Sequence, residues 1–354
     1  MTNLIGCWLN SFANLPSKSM LTVGIIGLGV GEKYIQTLDN QSKVYLKTLC
    51  DFDENKITEF EKKYPDKQIV NDSNIVMSDN EINFVAIASY DNYHVDQIVS
   101  ALNNKKHVFV EKPLCLTINE MQKIRLALKN NPEMKISSNL VLRSVPLFKK
   151  IKNDILSKSL GDVYFIEADY LWGRIYKLDG WRSKMNYYSI IHGAAIHMID
   201  LIMWFLDEKP IEVKTYGNNI ATKNYRLNYN SFAVMLLKYK SGLVVKISSN
   251  GGCVHPHFHS VKIFGTKKTV YHELNGSNYI KNSDNKFDFT AIDEPYPAKD
   301  ERQNILISFI DSLTSDRDPI VRVEDIFDAM SISFSAEKSM LNVSTEKIKY
   351  YTNE

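Results

Sequence analysis

Residues 21–31 read LTVGIIGLGVG, an apolar run that ends in three closely spaced glycines. The run predicts a buried β-strand, and residues 30–38 are typical of a following helix. Glycines between a strand and a helix allow a tight turn and let the backbone approach a pyrophosphate, which the helix N-terminus attracts. Glu32 stands where the usual motif has its third glycine. The candidate cofactor-binding residues of this glycine loop are Gly27, Gly29, Val30 and Gly31.

An acidic residue follows the second predicted strand. That strand covers residues 44–50, and Asp51 comes directly after it. A carboxylate at this distance from a glycine loop accepts hydrogen bonds from the adenosine ribose hydroxyls of a dinucleotide, although the alternative of a helix cap stays open. Phe52 and Asp53 come next, with no arginine to bind a 2′-phosphate. The pattern predicts dinucleotide binding and favours NAD over NADP.

Strands and helices alternate as far as residue 139. Further buried strands are predicted at residues 84–88, 108–110 and 136–138, with amphipathic helices between them. Repeated βα units joined by short loops form a parallel, doubly wound sheet. We therefore predict an α/β Rossmann domain over residues 20–139, preceded by a flexible extension of residues 1–19.

Residues 108–113 read VFVEKP and place a lysine at the end of a strand. Pro113 ends that strand and keeps Lys112 out of helical geometry. Thr117 and Glu120 then have the spacing of a capping box that begins the next helix. Because ligands bind at the carboxyl ends of strands in open α/β sheets, Lys112 is a candidate site residue. Taken alone, the segment leaves open the alternative of a solvated surface lysine.

The hydrophobic period changes after residue 139. The strands predicted there are residues 163–170, 211–216, 232–239, 243–248, 258–264 and 270–273. Helices are predicted at residues 147–156 and 191–206, two more helices close the chain, and the polar residues 282–299 predict a loop. Such alternation indicates a mostly antiparallel sheet with one open face. We predict an α+β domain over residues 140–354 that binds substrate and forms oligomer contacts.

Composition and charge argue against several classes of function. The 354 residues carry a formal charge of +2, and no apolar run approaches the ~20 residues of a membrane span. Lysines are scattered among acids rather than arranged in a stripe, which argues against nucleic acid as a partner. The four cysteines show no CxxC pair or regular spacing, as in proteins of a reducing compartment. We therefore predict a cytoplasmic protein with no membrane partner.

With these motifs in this order, the sequence resembles the Gfo/Idh/MocA oxidoreductases. The matching segments are the glycine loop, Ser89 and His94 after the strand at 84–88, Glu111-Lys112-Pro113, Asn139, Trp181-Arg182, and His197 with Asp200. The resemblance implies an NAD-dependent oxidoreductase acting on a carbinol of a sugar, cyclitol or nucleotide-sugar. It also implies a homodimer or homotetramer that associates through the open sheet.

The resemblance assigns roles to particular residues. Lys112 is expected to hydrogen-bond the reacting oxygen, and His197 to act as the acid/base. Asp200 shares a helical face with His197 and is expected to orient it or to bind a substrate hydroxyl. Arg182 is expected to contact substrate. The cofactor site is expected to include Ser89, His94, Glu111 and Lys112.

Gly193 departs from the pattern of the family. Members often carry an aspartate four residues before the histidine, where this chain has Gly193, and His192 lies about 100° around the helix from that position. Either His192 replaces the aspartate at the substrate, or proton transfer depends on Lys112 and His197 alone. A non-catalytic protein that senses NAD and a sugar is the alternative function.

Residues 253–259 read CVHPHFH and carry four potential metal ligands at alternate positions. Neighbouring side chains on one face of a strand lie about 6–7 Å apart, too far for one tetrahedral ion to bind all four. We predict no metal and take His257 and His259 as substrate-binding residues.

The segment 172–182 combines two tryptophans with three cations, Arg174, Lys177 and Arg182. Tryptophan faces stack on sugars, and guanidinium or ammonium groups bind phosphate or carboxylate. A nucleotide-sugar or an acidic sugar would suit these side chains. Alternatively, the tryptophans only cover the seam between the domains.

Overall fold

The computed structural model describes residues 20–283 and 286–351, and its first sheet has six parallel strands in the order β3-β2-β1-β4-β5-β6. The strands predicted from the sequence account for five of these six, and the central ones are buried on both faces, as parallel sheets require. The strands are β1 (Leu21–Ile26), β2 (Val44–Cys50), β3 (Gln68–Val70), β4 (Phe84–Ile87), β5 (His107–Val110) and β6 (Ile136–Ser138). The predicted Rossmann fold is confirmed.

Five helices connect these strands: α1 (Glu32–Asp39), α2 (Glu54–Lys63), α3 (Ser73–Ser78), α4 (His94–Asn103) and α5 (Ile118–Asn130). The predicted capping box is present, because the Thr117 hydroxyl accepts from the Glu120 N–H and the Glu120 carboxylate accepts from the Thr117 N–H. Helix α5 thus begins just beyond the Lys112 segment and fixes where that segment ends. Strand β3 and helix α3 were missed by the sequence analysis because each is short and only partly apolar.

The second sheet has nine strands in the order β14-β13-β12-β11-β7-β10-β9-β8-β15. All neighbours are antiparallel except β7 and β10, so the predicted mostly antiparallel sheet is confirmed. The strands are β7 (Val163–Leu171), β8 (Glu212–Asn218), β9 (Phe232–Lys238), β10 (Val244–Asn250), β11 (Phe258–Gly265), β12 (Thr269–Glu273), β13 (Gly276–Ser283), β14 (Lys286–Ala291) and β15 (Thr345–Lys347). The loop predicted at residues 282–299 is partly wrong, since β14 pairs with β13 there.

The helices of the second half are α6 (Pro146–Leu156), α7 (Ile175–Leu178), α8 (Ile196–Phe205), α9 (Asn304–Thr314) and α10 (Val323–Asn342). Helix α8 does not begin at residue 191 as one regular helix, because a π-helical turn covers Ile191–Ala195. Such turns concentrate at functional sites. This turn carries His192 and Gly193 directly before His197.

Helix α9 packs against the first sheet although it lies far along the chain. The Phe309 ring contacts the rings of Phe84 and Phe109, with centroids 5.5 and 6.0 Å apart. The Ser137 hydroxyl of β6 also donates to the Val321 carbonyl at 2.8 Å. The C-terminal segment therefore contributes to the hydrophobic core of the Rossmann unit, although it lies far beyond the predicted boundary at residue 139.

The flexible extension predicted for residues 1–19 lies outside the described residues. In the part of the chain that is described, no helix has the length and apolar character that a membrane crossing requires.

Candidate active site

A cleft of about 630 Å³ opens at the carboxyl ends of the first sheet and includes Gly27, Gly29 and Val30 in its lining. Gly27 has φ +89°, and a Cβ at this position would lie 2.5 Å from the Ser89 backbone nitrogen. A Cβ at Gly31 would lie 2.2 Å from the Gly27 carbonyl oxygen, whereas Gly29 has no neighbour within 4 Å of that position. Gly27 and Gly31 thus permit close packing, and Gly29 leaves open space for a pyrophosphate.

Asp51 lines the same cleft and also holds the glycine loop in place. One carboxylate oxygen accepts from the Leu28 N–H at 2.7 Å, and the other accepts from the Asp53 N–H at 3.0 Å. Lys56, a cation that the sequence analysis did not single out, donates to the Leu28 carbonyl at 3.3 Å and lines the cleft too. Glycine loop, open space and carboxylate together fit a dinucleotide, and a ribose hydroxyl would reach Asp51.

An aromatic stack lies at the edge of the cleft where the two halves of the chain meet. Tyr90 and Trp181 stack with centroids 4.5 Å apart and an interplanar angle of 13°. The Arg182 guanidinium lies 4.2 Å from the Trp181 ring and 5.2 Å from the Trp172 ring. Tyr90, Trp181 and Arg182 all line the cleft, so Trp181 both closes the seam and faces the cofactor space.

The predicted cofactor residues near the strand ends have distinct positions. Ser89 lines the cleft. His94 is fully buried, with Nδ1 2.7 Å from the Pro113 carbonyl oxygen and Nε2 3.2 Å from the Ser89 carbonyl oxygen. Glu111 accepts hydrogen bonds from the Tyr34 hydroxyl and from the Asn139 amide, the latter at 2.7 Å. His94 and Glu111 therefore hold the segments around Lys112 in position rather than lining the cleft.

Lys112 reaches across to the second half of the molecule. Its Nζ donates to the Gly193 carbonyl oxygen at 2.6 Å. Burial lowers the pKa of Lys112; the Arg182 charge acts in the same direction, and the Asp91 charge opposes them. Lys112 is not part of the cleft lining, but it follows β5 at the same edge of the sheet where the neighbouring β4 leads into Ala88 and Ser89 of that lining. A lysine with a lowered pKa is suited to exchange a proton with a substrate hydroxyl.

His197 belongs to a cluster of aromatic rings beside Lys112. Its ring stacks on Tyr170 with centroids 5.7 Å apart, and Tyr170 contacts His257 and His259 at 5.2 and 4.9 Å. The Tyr170 hydroxyl lies 3.0 Å from His257 Nε2. Burial lowers the pKa of His197 well below its ordinary value, and the Lys112 charge adds to this, so His197 is neutral at pH 7.

The structure brings His197, His257 and His259 together around Tyr170, and the Lys112 charge acts on His197 and His257. The sequence analysis missed Tyr170, which joins the histidines, and Arg302, whose charge contributes to lowering the pKa of His197, His257 and His259. Neither has a sequence signal of its own. Tyr170 is one of the buried residues at every second position of β7, and Arg302 lies in a short 3₁₀ helix, Lys299–Gln303.

His192 does not take the place of the missing aspartate. Its side chain is buried, neither ring nitrogen has a hydrogen-bond partner, and it packs against Phe334 with ring centroids 5.3 Å apart. The space beside Gly193 is instead filled by Tyr188, whose hydroxyl would lie 2.5 Å from a Cβ at position 193. The expected substrate role of His192 is thus replaced by a packing role, because Phe334 covers its ring.

Asp200 is also committed elsewhere. Both of its carboxylate oxygens accept from Arg143, with the shortest distance 2.6 Å, and only 1% of the residue is exposed. Arg143 donates to Asp325 as well, at 3.0 Å. Asp200 therefore forms a buried ion pair that fixes helix α8, and the expectation that it binds a substrate hydroxyl or orients His197 is corrected.

The segment 253–259 is not one continuous strand, since β11 begins only at Phe258. His255 bonds to the neighbouring Pro256 carbonyl, and His259 lies 2.8 Å from the Tyr296 hydroxyl. In residues 20–283 and 286–351 no three histidine, cysteine or acidic side chains are grouped as metal ligands would be.

Two family models match the chain. One, described as an oxidoreductase family with an NAD-binding Rossmann fold, matches residues 21–138, and the Gfo/Idh/MocA C-terminal domain matches residues 148–271. Myo-inositol 2-dehydrogenase of Thermotoga maritima is 23% identical over 331 residues, which cover 90% of this chain and 96% of that protein.

Solved structures show the same fold at low sequence identity. Scyllo-inositol dehydrogenase from Lactobacillus casei, with bound NAD(H) and scyllo-inositol, aligns with a TM-score of 0.77 at 17% identity, covering 93% of this chain and 99% of that one. Levoglucosan dehydrogenase in complex with NADH aligns with a TM-score of 0.80 at 15% identity, covering 94% and 100%. The expected NAD-binding Rossmann unit is confirmed by the first family model. The two family models, matched in order along the chain, show that this protein belongs to the Gfo/Idh/MocA family of NAD-binding oxidoreductases.

Proposed function

We propose that this protein is an NAD-dependent dehydrogenase that oxidises or reduces one carbinol of a sugar or cyclitol. The observation that carries the proposal is the contact of Lys112 Nζ with the Gly193 carbonyl, beside neutral His197 and next to the dinucleotide cleft. Relatives named inositol 2-dehydrogenase and the levoglucosan dehydrogenase fold support a polyol substrate. A nucleotide-sugar is also included in this proposal, because the cations of segment 172–182 would bind its phosphates.

The residues of this site have the chemistry that a carbinol oxidation needs. NAD, when bound, accepts or returns the hydride. The hydroxyl proton must leave at the same time, and Lys112, whose pKa burial lowers, can accept it or stabilise the oxygen as charge develops. His197 is neutral and can hydrogen-bond the same oxygen, while Tyr170 holds its ring by stacking.

Replacement of Lys112 tests the proposal. We expect Lys112→Ala to lower turnover by at least ~10²-fold while NAD affinity changes little, because proton transfer is lost and the glycine loop is untouched. Formation of NADH would be followed by absorbance across sugars, cyclitols and nucleotide-sugars, and NAD affinity by titration calorimetry. Lys123→Ala is the matched control, since Lys123 is an exposed lysine on α5. Unchanged turnover in Lys112→Ala would overturn the catalytic assignment.

One observation favours a second candidate, a sensor that binds NAD and a sugar without turnover. Gly193 removes the carboxylate found in many family members, and the Tyr188 ring fills its place. A sensor would bind NAD and a sugar in calorimetry and yet give no absorbance change with any substrate. The lowered pKa of the partly buried Lys112 favours the dehydrogenase over the sensor, because perturbed pKa values are typical of catalytic groups.

A further inference from the structure

Most acidic side chains near the candidate active site already form ion pairs or hydrogen bonds with other residues of the protein. Asp200 is paired with Arg143, and Glu111 is bonded by Tyr34 and Asn139. Position 193 has no side chain, and the Tyr188 hydroxyl beside it has no hydrogen-bond partner. Asp91 is the remaining acid whose charge acts on Lys112 and Tyr188. The site thus offers hydrogen-bond donors where relatives with an aspartate offer an acceptor.

Two arginines on the side of the site near His257 lack a counter-charge. Arg174 and Arg302 form no ion pair with any carboxylate of residues 20–283 and 286–351. The Nε atom of Arg302 is buried and has no hydrogen-bond partner. A desolvated guanidinium nitrogen without an acceptor is costly, so such a group usually belongs to a site that an anion completes.

These arginines act on the same histidine cluster. After burial, the charges of Arg174 and Arg302 are the largest causes that lower the pKa of His257 to about 4, and Lys177 and Lys112 add to them. The Arg302 charge also acts on His259, whose ring lies 4.9 Å from that of His257. Both imidazoles are therefore neutral at pH 7, and a neutral imidazole can donate one N–H without requiring a second anion.

Lys177 and Arg182 differ from these two arginines because they line the dinucleotide cleft together with the glycine loop. The phosphates of a dinucleotide would offset their charge. Arg174 and Arg302 are not part of that lining, so cofactor binding leaves them without a partner. The remaining candidate for the counter-charge is the substrate.

We propose that the substrate carries an anionic group, a carboxylate or a phosphate, that binds to Arg302 and Arg174 beside His257 and His259. This inference rests on the proposed function only in placing the substrate at the same site. It names an acidic or phosphorylated sugar or cyclitol as the substrate class, rather than a neutral polyol. Guanidinium groups bind both kinds of anion with paired hydrogen bonds, and the neutral histidines add donors.

Matched ligand pairs test the inference by binding, without requiring turnover. The NAD-loaded protein would be titrated in a calorimeter with glucose, glucuronate and glucose 6-phosphate, the same three forms of galactose and mannose, and myo-inositol with its monophosphate. We expect at least one anionic form to bind about 10-fold or more tightly than its neutral counterpart, as charge-assisted hydrogen bonds provide. Uronates and phosphates separate the two sources of the anion.

Substitution of Arg302 locates the anion. We expect Arg302→Met to weaken the preferred anionic ligand by about 10-fold or more and its neutral counterpart by less than about 2-fold. Arg317→Met, at an exposed arginine between α9 and α10, is the control and should change neither. Equal or tighter binding of every neutral form, or an equal loss for both forms in Arg302→Met, would overturn the inference. Binding with the expected preference but no NADH formation would overturn the dehydrogenase proposal alone.

Discussion

The hydroxyl group of Tyr188 lies where a side chain at position 193 would project. This contact explains how the chain tolerates a glycine at the position of the family aspartate. The backbone carbonyl of Gly193 remains available and accepts the Lys112 hydrogen bond at 2.6 Å. At the scale of single residues, then, a phenol lies beside position 193, where the family pattern has a carboxylate, and Lys112 bonds to the backbone of the same turn.

Restoring an aspartate at position 193 is therefore expected to destabilise the protein. A Cβ there would lie 2.5 Å from the Tyr188 hydroxyl, so Gly193→Asp should cost about 1–3 kcal/mol of unfolding free energy, as overpacking does. In the Tyr188→Ala background the same change should cost less, with a coupling of about 1 kcal/mol. Urea unfolding of the four proteins measures both values. Equal costs in the two backgrounds would show that Tyr188 does not occupy this space.

The sequence allowed prediction of the site residues that lie within local strand, turn and helix signals. Lys112 and the glycine loop could be predicted because strand, turn and helix signals surround them within a few positions. Tyr188, Tyr170 and Arg302 could not, since their roles come from contacts between distant segments, as with Lys112 and Gly193, which are 81 residues apart. His192 and Asp200 were misassigned for a related reason. Helical spacing gives their direction relative to His197 but not the Phe334 ring or Arg143 that they meet.

At the scale of elements, helix α8 is held by one contact just before its first residue and by another within it. The π-helical turn at Ile191–Ala195 presents the Gly193 carbonyl to Lys112, and Asp200 binds Arg143 of the turn helix Val141–Ser144. Arg143 also binds Asp325 in the first turn of α10. One buried cation thus joins three segments that are far apart in the sequence. The result is a rigid support for His197, which lies between these two attachments.

Substitution of Asp200 distinguishes this supporting role from substrate binding. We expect Asp200→Asn to lower the unfolding free energy by about 3 kcal/mol, because Arg143 is left buried with only Asp325 as a counter-charge. The KM for the substrate should stay within about 3-fold, since no contact to substrate is removed. Urea unfolding and steady-state kinetics give the two values, with the exposed Asp207→Asn as the control. A large rise in KM with little loss of stability would restore Asp200 to the substrate site.

The elements themselves were predicted where apolar residues are dense. Strands β1, β2, β4 and β5 are each a mostly apolar or β-branched run, whereas β6 has one isoleucine and two serines, all three of them buried. Strand β3 has only three residues and an exposed glutamine, and β14 alternates apolar with polar residues over only six positions, so neither contains a compact apolar run. Pairing with a neighbouring strand, and not local propensity, determines these two elements.

At the scale of the whole molecule, burial keeps most of the histidines uncharged at pH 7. Six of the eight histidines have a lowered pKa, and burial is the first cause in each case. For His107, His192, His257 and His272 the value is about 4. The unfolded chain binds protons near pH 6.5, whereas the folded chain resists them until about pH 4 or below.

Stability should therefore be fully present above about pH 6.5 and decline as the pH falls toward 4, by up to about 1.4 kcal/mol per pH unit for each histidine. Urea unfolding at intervals between pH 7.5 and pH 4.5 measures the slope. His192→Phe should reduce this slope by the amount that corresponds to one proton taken up on unfolding, about 1.4 kcal/mol per pH unit, because the His192 ring is buried and has a lowered pKa. Phe334→Leu alters the same contact without removing a titratable group and should leave the slope unchanged. A slope equal in wild type and His192→Phe would contradict the account.

Several whole-molecule expectations from the sequence remain predictions: the cytoplasmic location, the homodimer or homotetramer, and the division at residue 139. The fold class and family could be predicted because the glycine loop and the change of hydrophobic period are local. The return of α9 to the first sheet could not, because an amphipathic helix shows that it has an apolar face but not which partner covers it.

The packing of Phe309 on Phe84 and Phe109 has a consequence for synthesis on the ribosome. When the last strand of the Rossmann sheet emerges, the helix that covers these two rings has yet to be translated. At typical rates of about 5–20 residues per second, the nascent chain carries this uncovered apolar surface for roughly 10–35 seconds. Unlike a protein whose first domain is complete before the second begins, this chain reaches its native nucleotide-binding core only after most of the second sheet has been translated.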